Sequence, residues 1–97
     1  MEKHKIVIQN AAKKDVLNAK KWYKEHGKGL SKKFAFSVEV KLDEISLNPY
    51  AYAIRYSRNR KAKISSFPYS IVFYIDSENE TVFVTTIIHN SRATSYD

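Results

Sequence analysis

Residues 67–92 read FPYSIVFYIDSENETVFVTTIIHNSR, and this stretch decides the fold. It holds two runs of β-branched and aromatic residues, the types that suit a pleated and packed surface. A short polar link at residues 76–80 separates the two runs, and this arrangement indicates an antiparallel hairpin. Both runs are too apolar for strands that have one face in the core and the other face in solvent. We therefore expect the hairpin to lie in mid-sheet, with Val72 and Val84 in the core.

The residues before the hairpin predict two helices. Between residues 11 and 26, apolar residues recur every three or four positions, which is typical of a helix. Asn10 is expected to cap its start, since its side-chain oxygen can accept a free backbone N–H. Gly27 and Gly29 are expected to end it, because glycine accepts the left-handed conformation without strain. A second helix, capped by Ser31, follows to residue 47.

The second helix stops at Asn48-Pro49, because proline disfavours helical geometry in the residue before it. The predicted helical hairpin thus spans residues 11–47, and the predicted strands span residues 4–9, 51–57, 64–75 and 81–89. The order is β-α-α-β-β-β. It predicts an α+β fold, in which an antiparallel helical hairpin packs on one face of a mostly antiparallel four-stranded sheet. All 97 residues are expected to form a single domain.

The composition limits the function classes. Seventeen Lys and Arg against ten Asp and Glu give a formal net charge of +7. Such a surface favours nucleic acid, the ribosome or an acidic protein as partner, although a basic protein without a polyanion partner has the same charge. The absence of cysteine excludes disulfides and thiol nucleophiles and fits a reducing cytoplasm. No apolar run is long enough to cross a membrane, and the N-terminus does not resemble a signal peptide, so we expect a cytoplasmic protein.

A run of cations begins in the predicted strand at residues 51–57, continues to residue 63 and contains no acid. Its members are Arg55, Arg58, Arg60, Lys61 and Lys63. Phosphate contacts need only cations at the right surface, so the run predicts the charge of a partner and not its identity. The alternative is a solvated loop that keeps the protein soluble.

Metal and acid–base sites are not predicted. His4, His26 and His89 are far apart in the sequence and have no ligand partner at a recognisable spacing, so no metal or other cofactor is expected. The acids of the two helices, Asp15 among them, are expected to be solvated.

Several short motifs follow one another over nearly the whole chain. They are Ala11 and Asp15, Trp22-Tyr23, Gly29-Leu30 with Phe34, Asn48-Pro49, Phe67-Pro68-Tyr69 and His89-Asn90-Ser91-Arg92. In this order and spacing the chain resembles RelE/ParE-type toxins of bacterial type II toxin–antitoxin systems. The FPY run followed by H-x-x-R resembles the ParE, or plasmid-stabilisation, branch. The resemblance implies the α+β fold derived above. It also implies an antitoxin encoded beside the toxin, whose tail holds the toxin silent in a hetero-oligomer.

The two branches of this family act differently, and both use a basic surface. ParE-like toxins poison DNA gyrase, whereas RelE-like toxins cut mRNA in the ribosomal A site without a metal. Lys61 and Lys63 fall where those ribonucleases carry two lysines, Arg92 falls near their late arginine, and Tyr96 stands slightly before their C-terminal tyrosine. Ser70 is the departure, because the ribonucleases have an arginine there, which would stabilise the phosphoryl transition state.

The resemblance therefore implies gyrase poisoning without catalysis. RelE-like mRNA cleavage is the alternative, and a non-toxic basic binding module is a second one. His89 has an imidazole suited to acid–base work, but ParE-like proteins carry the same histidine and arginine, so we expect both to be structural. Trp22 and Tyr23 are expected in the core or facing the antitoxin. Arg58, Arg60 and residues 92–97 are the further candidates for target contact.

Overall fold

The computed structural model describes residues 3–92. Its elements are β1 (Lys5–Ile8), α1 (Asn10–His26), α2 (Leu30–Leu47), β2 (Ile54–Tyr56), β3 (Asn59–Lys63), β4 (Tyr69–Asp76) and β5 (Thr81–His89), with 3-10 turns at Pro49–Ala51 and Asn90–Arg92. The sheet order is β1-β5-β4-β3-β2. β1 is parallel to β5, and the other neighbours are antiparallel. The predicted α+β fold, with a helical hairpin on a mostly antiparallel sheet, is confirmed.

The β4–β5 hairpin lies in the middle of the sheet, as its apolar runs predicted. Its register shifts once, because Val72 pairs with Thr86 whereas Phe73 pairs with Val84. Thr85 is therefore an extra residue, which makes a β-bulge in β5. Val72 and Val84 are both buried, as predicted, but only Val84 belongs to the core under the helices. Side chains alternate along a strand, so Val72 faces away from the helices.

The sheet contains one strand more than predicted. Residues 54–63 form a second hairpin, β2–β3, where the sequence indicated the end of a strand and a basic loop. The strand expected at residues 64–75 begins only at Tyr69. β3 was missed because only Ala62 in it is buried, and backbone pairing with β4 holds a strand of charged residues.

Three helix-end signals act differently from the prediction. Asn10 is the first helical residue, and Gln9 occupies the cap position without a side-chain hydrogen bond. Gly27 ends α1 in extended geometry, whereas Gly29 has a φ of 78° and is the cap residue of α2. Ser31 lies inside the first turn of α2. The reversal between the helices needs positive φ at only one residue, and Gly29 supplies it.

An aromatic cluster joins the helical hairpin to the start of β4. Phe34 of α2 is fully buried, and its ring centroid lies 5.3 Å from that of Tyr23, 5.2 Å from that of Phe67 and 5.4 Å from that of Tyr69. Aromatic pairs at such separations add to the free energy of burial. The cluster therefore fixes the end of α1 and the start of α2 against the part of the sheet where β4 begins.

Candidate functional site

A groove of about 620 Å³ runs between α1 and the ends of the central strands. Trp22, Tyr69 and Ile88 are among its apolar lining residues, and Asp15 and His89 are among its polar ones. A concave, largely apolar surface with a few polar groups is the usual form of a binding site.

The floor of the groove is an open strand edge. β1 pairs with β5 only as far as Ile8 opposite Val84, and within residues 3–92 no other strand joins that side of β5. The carboxylate of Asp15 takes the place of a strand partner, because it accepts hydrogen bonds from the Ile87 N–H at 3.0 Å and from Thr86 Oγ1 at 2.6 Å. An edge of this kind can receive an added strand from another chain.

The structure corrects the expectation that Asp15 is solvated. Its side chain is half-buried and ties α1 to β5 across 72 residues of sequence. The helical spacing carried the signal, since Asp15 is three residues after Ala12 and four before Ala19, both of which are buried. An acid at that spacing lies beside the buried stripe and not opposite to it.

Trp22 and Tyr23 have separate positions. Tyr23 is buried in the aromatic cluster, and burial, followed by the neighbouring Tyr69, raises the pKa of its phenol. Trp22 is 52% exposed at the rim of the groove. Its ring stacks on His26 with centroids 3.9 Å apart, and His26 Nδ1 lies 2.7 Å from the Trp22 carbonyl oxygen. Trp22 is thus an exposed aromatic residue held in one orientation.

The cations of the predicted basic run do not form one cluster. Arg58 lies over the Tyr74 ring at 3.8 Å, and Arg60 donates a 2.7 Å hydrogen bond to the Tyr52 carbonyl oxygen. Arg58 therefore holds the turn of the β2–β3 hairpin against β4, whereas Arg60 ties β3 to the segment before β2. Arg55 and Lys63 are exposed.

The lysines and His89 of the ribonuclease-like set lie on different faces of the sheet. Ala62, between Lys61 and Lys63, belongs to the core under the helices, so alternation places both lysines on the opposite face. His89 pairs with Tyr69, which packs against the core, and it lines the groove beside α1. The structure therefore does not bring His89 together with the two lysines.

Ser70 and His89 both fix the turn after β5. Ser70 is fully buried, and its Oγ donates a 2.6 Å hydrogen bond to Asn90 Oδ1. His89 Nδ1 accepts a hydrogen bond from the Ser91 N–H at 3.2 Å and lies 2.7 Å from Ser91 Oγ. Neither contact was visible in the sequence, because each depends on where the chain turns after β5.

The remaining members of the predicted sites are at the C-terminus. The main chain of Arg92 closes the 3-10 turn Asn90–Arg92. The side chain of Arg92 and residues 93–97, with Tyr96, lie outside the described residues.

Lys63 and Asn90 line a second cavity, beside α2 and the β3–β4 loop.

Within residues 3–92, no group of three or more His, Cys, Asp or Glu side chains is arranged to hold a metal ion. No helix in this part of the chain is long and apolar enough to span a membrane.

The carboxyl group of Asp76 titrates below its ordinary pKa of 3.8. The main cause is a 2.8 Å hydrogen bond from Asn79 Nδ2, and backbone N–H groups and the Arg58 charge add to it. We expect Asn79→Ala to raise the Asp76 pKa towards 3.8, and Arg58→Ala to raise it less, as measured by NMR titration of the side-chain carbon.

The sign of the linked stability follows from the lowered pKa. The contribution of the Asp76 contacts is present above the unfolded-state pKa and is lost as the pH falls through the folded-state value. An Asp76 pKa that is the same in wild type and Asn79→Ala would show that this turn does not hold the carboxylate.

Comparison with known proteins gives one family and a set of similar folds. The sequence matches the family described as ParE toxin of type II toxin-antitoxin system, parDE, over residues 6–94. No curated protein matches it significantly.

Several solved structures share the fold. A toxin–antitoxin complex, RelBE2, from Mycobacterium tuberculosis is 17% identical, with a TM-score of 0.65, and the match covers 92% of this chain and 93% of the other. The intact E. coli RelBE toxin–antitoxin complex is 21% identical, with a TM-score of 0.59 and coverage of 87% and 93%. A mutant of the E. coli toxin RelE in the free state is 20% identical, with a TM-score of 0.64 and coverage of 97% and 90%.

Proposed function

Because the chain belongs to the ParE toxin family of type II toxin–antitoxin systems, we propose that it inhibits bacterial growth by poisoning DNA gyrase and that a cognate antitoxin neutralises it. The family match over residues 6–94 is the observation that carries this proposal. The +7 charge suits both an acidic antitoxin tail and a target that works on DNA.

The position of Ser70 supports a mode of action without catalysis. Its hydroxyl is buried and bonded to Asn90, so this position presents no cation to a phosphate group. A ribonuclease needs positive charge where the transition state becomes more negative. The separation of His89 from Lys61 and Lys63 also removes this imidazole from the sheet face that carries the two lysines.

One observation favours mRNA cleavage as the second candidate. Lys61 and Lys63 share a sheet face, and Lys63 lines the second cavity together with Asn90, the first residue of the 3-10 turn that ends at Arg92. Cations on a common surface can bind an RNA backbone and stabilise a phosphorane without a general base. The two candidates therefore differ in whether this surface reacts with RNA or only contacts a protein target.

The target test compares the two activities on the same purified protein. We expect inhibition of supercoiling by purified gyrase, and no cleavage of mRNA on ribosomes. Arg55→Ala and Lys63→Ala remove exposed cations near β3 and are expected to weaken the inhibition, whereas Lys5→Ala, an exposed lysine on β1, is the matched control. Unaffected supercoiling, with cleavage that disappears in Lys63→Ala and Arg92→Ala, would overturn the gyrase proposal in favour of the ribonuclease.

The antitoxin proposal rests on the groove beside α1. The open edge of β5 can pair with an extended segment, and the exposed Trp22 can cover an apolar side chain of that segment. A tail that is disordered in the free antitoxin would fold as it fills the groove. An acidic tail also speeds the encounter with a basic toxin.

Co-purification with the product of the adjacent reading frame tests this assignment. Trp22→Ala is expected to weaken the complex about tenfold or more, in line with the loss of an exposed aromatic anchor. Leu17→Ala is the matched control, since Leu17 is on the same helix, is 62% exposed and does not line the groove. Equal affinities of the two variants for the antitoxin would indicate that the antitoxin binds another surface. Harmless expression with no adjacent partner would instead indicate the non-toxic binding module.

A further inference from the structure

The positive charge of the protein is concentrated on α1 and the start of α2. Residues 13–33 contain eight lysines and two acids and so carry +6, whereas the rest of the chain carries +1. Five of these lysines lie on α1, and we call them the lysine face: Lys13, Lys14, Lys20, Lys21 and Lys24.

The lysine face lies on one side of α1. Lys20 and Lys21 come seven residues after Lys13 and Lys14, and Lys24 follows Lys20 by four residues and Lys21 by three, spacings that keep side chains on one side of a helix. That side is turned away from Ala12, Ala19 and Tyr23, which are buried. From the first lysine to the last, the stripe is about 16 Å long at the rise of an α-helix.

Few negative charges neutralise this face. The ion pairs found within residues 3–92 are Lys3 with Asp43 and Lys41 with Glu44, and neither includes a lysine of α1. Asp15 is turned inward, where its carboxylate holds β5. Glu25 is then the one acid of α1 that is exposed.

We propose that the lysine face binds the phosphate backbone of double-stranded nucleic acid without reading its sequence. A duplex carries one negative charge per about 1.7 Å of its axis, so a stripe of about 16 Å faces about nine phosphate charges. Lysine is a flexible point charge, which suits backbone contacts that specify no base.

Other features of α1 favour a duplex over a single strand or a membrane surface as the ligand. Single strands are bound by stacking on aromatic rings, and the lysine face contains none, since Trp22 lies at the groove and stacks on His26. A membrane-surface helix needs a free apolar side, whereas the apolar side of α1 is buried in the core. The site is also distinct from the β2–β3 cations, because Lys61 and Lys63 lie on the far face of the sheet.

The experiment measures binding of the full chain to a fluorescent 20-base-pair duplex by anisotropy at several salt concentrations. Lys14→Gln with Lys21→Gln removes two exposed lysines seven residues apart. We expect this pair to weaken binding about tenfold or more at low salt and to reduce the slope of log K against log salt by about 2.

The comparison variant is Arg55→Gln with Lys63→Gln, which makes the same change in net charge on the β2–β3 hairpin. We expect it to retain most of the affinity, and circular dichroism checks that both variants are folded. A larger loss in Arg55→Gln/Lys63→Gln would overturn the proposal, as would equal losses in the two variants. A single strand or a polyglutamate peptide that binds as tightly, with the same dependence on Lys14 and Lys21, would also overturn it.

Discussion

Replacing Phe34 by alanine is expected to lower the free energy of unfolding by about 3–5 kcal/mol, the usual cost of truncating a buried phenylalanine. The side chain is fully buried and contacts Tyr23, Phe67 and Tyr69. Its loss leaves a cavity where both helices meet the sheet. Since small domains are stable by only about 5–15 kcal/mol, a large part of the stability should disappear in urea denaturation followed by circular dichroism.

Phe36→Ala is the matched control on the same helix. Phe36 is 67% exposed, so its truncation is expected to change the free energy of unfolding by no more than about 0.5 kcal/mol. Similar losses for both variants would show that the aromatic cluster does not hold the helical hairpin on the sheet.

Asp15→Ala is expected to lower the free energy of unfolding by about 2 kcal/mol, which lies within the usual range of about 1.5–3 kcal/mol for a hydrogen bond to a charged group. The change leaves the Ile87 N–H without the carboxylate that replaces a strand partner at the edge of β5. It also removes the acceptor of the Thr86 hydroxyl. Hydrogen exchange of the Ile87 amide should accelerate more than that of amides paired between β4 and β5, because the edge opens locally.

Asp15→Asn distinguishes the contribution of the hydrogen bonds to stability from the contribution of the charge. Its amide oxygen can still accept one hydrogen bond, so the expected loss is about half of that in the alanine variant. Glu25→Ala removes an exposed acid from the same helix and is expected to change the stability by no more than about 0.5 kcal/mol. Equal stability of wild type and Asp15→Ala would contradict the role of Asp15 as a link between α1 and β5.

The family resemblance was visible in the sequence, since it depends on the order of short motifs along one chain. The match over residues 6–94 agrees with it. The target is different, because it depends on which side chains share a surface. Lys61 and Lys63 fall at ribonuclease-like positions in the sequence and His89 has an imidazole suited to acid–base work, yet the two lysines and the histidine occupy opposite faces of the sheet.

Local patterns in the sequence determined the two helices and the central hairpin, because each signal lies within a few residues and recurs with the period of its element. β3 and the hydrogen-bond partners of Asp15 and Ser70 were decided only by the tertiary structure. β3 is held by backbone pairing with β4, although its side chains are mostly charged. Asp15 and Ser70 bond to residues 72 and 20 positions away, and only folding brings such donors and acceptors together.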